Sequence, residues 1–500
     1  MPRWLSEREE RLVEGAEVSD SPYPLPTQIV SNGEYLPPAQ SPKQKMVEGR
    51  VAELADLNSK SLGLTRRQYL LTNCGLAAAF LAMNEVYGAE IFQVDATEAK
   101  DPRLTKDRAD KLASQFIFDA QTHFVRDDFP HEEITRLGNY SSQHWSLNPK
   151  QDPVKLKDYK FDNYVRELWF NSDTKMALLS GAPFDDPEWY LLSNEQIMDA
   201  CSMVNNLSGS VRLRGHAVIT PGQPGWLDTV DEAISHGNPD LVSWKTYTIG
   251  DPSGPSKWPW RLDDEKLMYP FYEKSLAAGI NTICVHKGLM PPDYEQSFRG
   301  LWRYATAWDV EKAARDWPDM NFIFYHSALR PFLELPDQAW SEFERTGRIK
   351  WVTDLCEAAE AAGTGNVYGE LGTSFANSAI AHPKFSAAFI GTLVAGLGPD
   401  HVLWGTDSVW YGSPQWQIEA MRRLEIPEDM REKYSLPELG GPNSNTKQAI
   451  FGINAARIYD VDVTMIQKDF EVDKMSELVR NHREFGEGPT NRRYGLVRRS

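Results

Sequence analysis

The sequence has little cysteine. Four residues in 500, Cys74, Cys201, Cys284 and Cys356, stand far apart with no CxxC pair. That argues against a disulfide framework and a cysteine-based zinc centre. Basic residues are also in deficit: 53 Lys and Arg face 71 Asp and Glu, for a net charge of −18. So acidic a chain is a poor partner for nucleic acid or an anionic bilayer. Its most apolar run is too short and too interrupted for stable membrane insertion. A Gly-rich dinucleotide turn after the first apolar strand is missing too, which argues against an open doubly wound sheet. With 41% hydrophobic and 25% charged residues, the composition is that of a globular protein long enough for one large domain with extensions.

Residues 1–60 are rich in Pro, Ser, Glu and Gln ("SDSPYPLPTQIVSNGEYLPPAQSPKQK") and show no apolar period. They are expected to be disordered, or ordered only against a partner. Thr65–Gly88, "TRRQYLLTNCGLAAAFLAMNEVYG", resembles a twin-arginine export signal, although Asn73, Asn84 and Glu85 interrupt it. It reads either as that signal or as a helix packed on the main domain, so a cytoplasmic and a Tat-exported location both stay open. From about 112 to 460, short β-branched runs alternate with amphipathic segments. Eight strands are expected, at 115–124, 174–181, 211–219, 241–248, 281–287, 321–327, 366–372 and 401–407. Ser193 with Gln196 forms a capping box before one helical segment, and Gly279 ends another. Eight strand–helix repeats in this length predict an α/β fold, a closed (β/α)8 TIM barrel. The chain then divides into an N-terminal arm (1–110, with the twin-arginine-like segment at 65–88), the barrel (111–460), and a C-terminal helix with the basic tail "NRRYGLVRRS" (461–500). A homo-oligomer is expected from the long arm.

Barrel enzymes place their chemistry at the C-terminal ends of the strands. His123 in "FIFDAQTHF", His286 in "TICVHKG" and His326 in "FIFYHSA" fall at such ends, and Asp407 in "VLWGTDS" ends the eighth strand. Imidazoles with a carboxylate are the donors a borderline divalent ion takes. Period-two alternation puts Asp119, Gln121 and His123 on one side of the first strand, and Cys284 and His286 on one side of the fifth. Lys287 should point away from His286, and His216 sits mid-strand as a candidate core histidine.

The ordered set resembles the amidohydrolase superfamily, specifically the amidohydrolase-related branch of metal-dependent hydrolases and non-oxidative decarboxylases. The resemblance spans about 112–460. It rests on the D-x-H-x-H place on strand one, histidines on strands five and six, the strand-eight Asp, and Asn-Ala-Ala-Arg in "IFGINAARIYD". It implies one divalent ion, Zn²⁺ or Mn²⁺, facing His123, His286 and Asp407, with His326 either a catalytic histidine or one that supports the ligands from behind. Gln121 departs from the pattern by standing where the first histidine would be. An amide oxygen is a weaker, harder donor, so Gln121 is an uncertain ligand and shifts the preference toward Mn²⁺. Glu370 in "VYGELGTS" is a second uncertain ligand, or a general base.

Lys245 in "LVSWKTYT" could neutralise an anionic substrate group. Trp258 and Trp260 follow strand four, and Trp410 and Tyr411 follow strand eight. They are expected to wall a pocket for a small aromatic or apolar substrate. The segment between strands one and two is long enough to form a cap, with a helix near "YKFDNYVRELWF". The leading expectation is a metal-dependent hydrolase that opens an ester, lactone or amide with metal-activated water. Asp407 would take a proton, and His326 would stabilise the oxyanion or protonate the leaving group. Decarboxylation of an aromatic acid is the first alternative. A catalytically inert barrel serving in binding or assembly is the second.

Overall fold

The computed structural model describes residues 23–32, 37–129, 156–251, 255–290, 294–330 and 336–485, together with Gly495. Residues 130–155, about half of the cap between strands one and two, and nearly all of the basic tail lie outside these residues.

All eight expected strands are present: β1 Phe118–Thr122, β2 Met176–Leu179, β3 Leu213–Val218, β4 Leu241–Tyr247, β5 Thr282–His286, β6 Asn321–Tyr325, β7 Val367–Glu370 and β8 Val402–Leu403. They form one parallel sheet in sequential order. The sheet closes on itself. Ala120 N donates to Trp404 O (2.9 Å), Asp407 N to Gln121 O (2.9 Å) and His123 N to Ser408 O (2.7 Å), stitching the segment after β8 to β1. Phe118, Met176, Cys284, Ile323, Tyr325 and Leu403 pack with Ala455, Ala456 and Tyr459 of the closing segment. Asn454 of that segment donates to Val402 O and Pro399 O at the start of β8 (both 2.8 Å), which is why "NAAR" sits there.

The helices explain themselves locally. Ser193 and Gln196 make the expected reciprocal capping box on Asn194–Ser208. The helix before Gly279 is Tyr269–Ala277, with Pro270 in its first turn and Asp264 capping a separate turn before it. The expected single C-terminal helix is two, Val463–Val472 and Lys474–Phe485. Asp473 divides them: its carboxylate accepts from Ser476 N (2.8 Å) and pairs with Arg212 (2.7 and 2.9 Å), which a continuous helix would forbid. In the cap, Phe161–Val165 runs into a π-helical turn at Arg166–Phe170.

For residues 23–32 and 37–60 the expectation of disorder is corrected; the rest of the first 60 lie outside the described residues. Pro42–Ser61 is a 20-residue helix with Pro at its start and a Ser41/Gln44 capping box. Val47, Val51, Leu54, Ala55 and Asn58 recur at helical spacing and are buried. The polar Pro/Ser/Gln stretch just before them masks that stripe. The two arginines of the twin-arginine-like segment are exposed on a short capped helix, Arg66–Leu70, followed by the helix Asn73–Tyr87, which buries Cys74, Ala78, Phe80, Ala82 and Met83. Tyr69 anchors both: its hydroxyl meets Ala99 O (2.7 Å) and accepts from Asn58 Nδ2 (3.2 Å). Tyr87 donates to Ala381 O (2.8 Å), and Gln93 N to Arg423 O (2.7 Å), tying the extension to the β7–β8 side of the barrel. No helix among the described residues is long and apolar enough to cross a membrane.

Candidate metal centre

The strand ends carry backbone strain. His326, Ser327 and Ala328 after β6, Thr373 after β7 and Asp407 after β8 all have positive φ, between 51° and 62°. Non-glycine residues hold such geometry at a cost of about 1–3 kcal/mol each, and it concentrates where side chains must be aimed. Here each strained turn delivers a polar side chain to the same end of the barrel.

His123 and Asp407 meet. His123 Nδ1–H donates to Ser180 O (2.6 Å), since a carbonyl can only accept. That leaves Nε2 as the acceptor nitrogen of the neutral ring, and it stands 3.2 Å from Asp407 Oδ1. A lone pair and a carboxylate oxygen approach this closely only with a proton or a cation between them. The other oxygen, Oδ2, is occupied: it accepts from Thr373 Oγ1 and, at 3.4 Å, from Asn32 Nδ2 of the N-terminal extension. Thr373 Oγ1 is also 2.6 Å from Tyr411 OH.

Gln121 joins this pair, with Nε2 3.4 Å from His123 Nε2 and 3.2 Å from Asp407 Oδ1. Its Oε1 is buried with no hydrogen-bond partner among the described residues. The two ends of an amide have the same shape, and which is which follows from the bonding network. Turned end for end, Gln121 would offer its oxygen to the His123–Asp407 pair and its NH₂ toward Glu370. Nitrogen, carboxylate oxygen and amide oxygen are a donor set that fits a divalent cation such as Mn²⁺ or Zn²⁺. Two glycines make the room. A Cβ on Gly372 would stand 2.3 Å from Gln121 Oε1 and 2.8 Å from Glu370 Oε1, and one on Gly405 would stand 1.7 Å from Glu370 Oε1.

His286 and His326 form a second pair, with ring centroids 4.6 Å apart and edge to face. His286 stacks on Tyr247 at 4.1 Å, and His326 Nδ1–H donates to Gly372 O (2.8 Å), leaving Nε2 as its acceptor nitrogen. Between the pairs lies Glu370, fully buried, accepting from Gly372 N (2.6 Å) and His326 N (3.2 Å). Burial pushes its carboxyl up to about 8, against the pull of those backbone donors. Asp119 is pushed up to about 7 by burial, although Thr406 and Gln121 N donate to it. Among the described residues no three His, Cys, Asp or Glu side chains close into one metal cluster. The structure thus delivers two pairs and an intervening acid at one barrel end.

The other expected site residues are placed as follows. Lys245 is buried with Nζ 3.4 Å from the Tyr325 ring centroid and 5.2 Å from that of Tyr247, a cation–π setting. Tyr411 touches the site through Thr373. Trp410 packs on Tyr159 of the cap segment (5.0 Å between centroids). Trp260 lies in an apolar cluster with Leu262, Met268 and Phe271, its indole N–H donating to Tyr247 O (2.9 Å), so it braces the Tyr247–His286 stack. Trp258 is part-buried beside Lys257. His216 is a core histidine, bonded to Ser243 Oγ and Tyr325 OH (both 2.6 Å). Lys287 points away to Asp309, Tyr304 O and Thr306 O (2.8 Å each). Sequence reasoning passed over Thr373, which stands three residues after Glu370, and Asn32, for which the sequence carries no signal.

Comparison with known proteins adds the following. No curated protein matches the sequence. Among solved structures, an uncharacterised TIM-barrel protein of Bordetella bronchiseptica is similar at 12% identity and a TM-score of 0.43, covering 70% of this chain and 99% of that one. A 5-carboxyvanillate decarboxylase of Sphingomonas paucimobilis is similar at 14% and 0.40, covering 69% and 99%. A manganese-bound 5-carboxyvanillate decarboxylase of Novosphingobium aromaticivorans is similar at 13% and 0.42, covering 70% and 97%. Residues 251–461 match the family model described as amidohydrolase. The matched segment is the part of the chain that carries His286, His326, Glu370 and Asp407.

Proposed function

We propose that this protein is a metal-dependent hydrolase of the amidohydrolase kind. Its substrate would be a small apolar or aromatic molecule bearing an ester, lactone or amide carbonyl. The observation that carries this reading is the approach of His123 Nε2 to Asp407 Oδ1 at 3.2 Å, with the opposite atoms of both side chains already engaged. When bound there, a divalent ion would supply Lewis acidity toward the carbonyl and lower the pKa of water. Asp407, with Oδ2 fixed, has Oδ1 in place to accept a proton from the attacking water. His326, with Nδ1–H committed to Gly372 O, can receive at Nε2 the same water-derived proton from Asp407 and pass it to the leaving group. Lys245, buried among aromatic rings, offers positive charge to an anionic group on the substrate.

One observation favours a second reading, decarboxylation of an aromatic acid. Glu370 is a fully buried acid held by His326 N and Gly372 N, with the His286–His326 pair and Gln121 around it, and burial favours its protonated form, as a proton donor to a ring carbon needs. The two separate cleanly. Protein reconstituted with Mn²⁺ or Zn²⁺ is offered aryl esters, lactones and hydroxylated aromatic acids in H₂¹⁸O. Hydrolysis places ¹⁸O in the product acid; decarboxylation releases CO₂ and leaves the arene unlabelled. Under either reading Asp407→Asn abolishes turnover with the fold retained, and parental activity in that variant would end both.

A further inference from the structure

The site described above is built by the barrel, but one of its atoms is not. Asn32 lies 375 positions before Asp407, on the N-terminal extension, and its amide donates to Asp407 Oδ2. The segment that carries it is deeply set: Leu25, Thr27, Ile29, Val30 and Ser31 are buried. Its backbone is held at Val30 by a two-way bond with Asn377, on the helix after β7: Val30 N donates to Asn377 Oδ1 and Asn377 Nδ2 to Val30 O, both at 3.0 Å. A second part of the chain lies over it. Gly495 N donates to Trp410 O (2.7 Å), and a Cβ on Gly495 would stand 2.3 Å from Ser31 O, so only glycine passes there.

We propose that residues 23–32 are a working part of the site, with Asn32 a positioning residue for Asp407. This rests on the metal-site reading. Asp407 sits at φ 56°, so its turn is strained and its carboxylate needs outside support to hold one direction. Thr373 holds Oδ2 from the β7 side and Asn32 holds the same oxygen from the extension. Together they fix the plane in which Oδ1 faces His123. The tether at Asn377 sets the height of Asn32, so the extension and the strained turn are coupled.

The test is amide hydrogen exchange on the full-length, metal-free protein. Asn32→Ala should speed exchange of the Asp407 and His123 amides about three- to ten-fold, the loss expected for one hydrogen bond to a charged group near the long end of its range. Global melting temperature should not change. Asn377→Ser should speed exchange at Val30 and at Asp407 together. The double variant should exchange at Asp407 no faster than Asn32→Ala alone, because both changes act through one contact. Parental exchange at Asp407 and His123 in Asn32→Ala would overturn the proposal, as would additive effects in the double variant. Mn²⁺ titration of the same proteins by electron paramagnetic resonance keeps the two readings apart. If the parent binds no Mn²⁺, the metal reading fails while the exchange result still decides the role of Asn32. If the parent binds, Asn32→Ala should bind more weakly.

Discussion

Thr373→Val is the sharpest perturbation of the centre, because it removes a hydroxyl and nothing else of size. Both residues are β-branched, so the cost of holding φ at 55° is the same before and after. The hydroxyl donates to Asp407 Oδ2 and stands 2.6 Å from Tyr411 OH. In the valine variant the Oδ2 contacts described here reduce to Asn32 at 3.4 Å. A hydrogen bond to a buried charge is worth about 1.5–3 kcal/mol. For a chain of about 500 residues the entropy of unfolding is roughly 1 kcal/mol per kelvin, so the metal-free protein should melt about 2–3 °C lower. On the proposed metal reading, loosening the Asp407 carboxylate should also weaken Mn²⁺ binding by about tenfold or more, the usual effect of losing a partner of a metal ligand. Calorimetry and a Mn²⁺ titration read the two effects. A variant that melts and binds like the parent would refute the assignment of Thr373 as the support of Asp407.

Two further outcomes follow from the same geometry. Gly405→Ala drives a methyl to within 1.7 Å of Glu370 Oε1, so it should cost about 1–3 kcal/mol of stability and abolish metal uptake by displacing Glu370 against Gln121; denaturant titration with metal analysis checks both, and normal metal content would contradict the packing. His382 provides a pH test remote from the centre. Burial between Trp340 and Tyr87 holds its imidazole down at about 3. The unfolded chain therefore binds a proton that the folded chain refuses between about pH 6.5 and 3, so stability is full above 6.5 and falls as pH drops through that window. His382→Asn keeps an acceptor for Phe385 N and should flatten the slope of stability by about 1.4 kcal/mol per pH unit between pH 4 and 6. An unchanged slope would contradict the assignment.

The barrel was legible because each strand repeats at period two, each following helix at 3.6, and turn residues divide them. Strand ends were not. Expected at 401–407, β8 is a regular strand only at Val402–Leu403, and the residues after it bond to β1 through single contacts at Trp404, Asp407 and Ser408. Beyond Leu403 the chain bends to bring Asp407 to positive φ, a cost repaid by side-chain contacts that no local pattern records. His123, His286, His326 and Asp407 were legible as residue types at strand ends. Their grouping into two pairs depends on ring packing and on which nitrogen Ser180 and Gly372 engage. The helix Pro42–Ser61 was missed because its apolar stripe is sparse and follows a Pro/Ser-rich run. Asn32 was beyond reach, since its role depends on where a long extension lands.

The central claim is that His123, Asp407 and Gln121 bind a cation together. Protein loaded with Mn²⁺ and crystallised, with anomalous scattering recorded at the manganese edge, tests it most directly. The account predicts one ion per chain bonded to His123 Nε2, Asp407 Oδ1 and the Gln121 amide oxygen, with the amide turned so that its nitrogen faces Glu370. An ion bound elsewhere, or no manganese at this barrel end after loading with Mn²⁺, would contradict it.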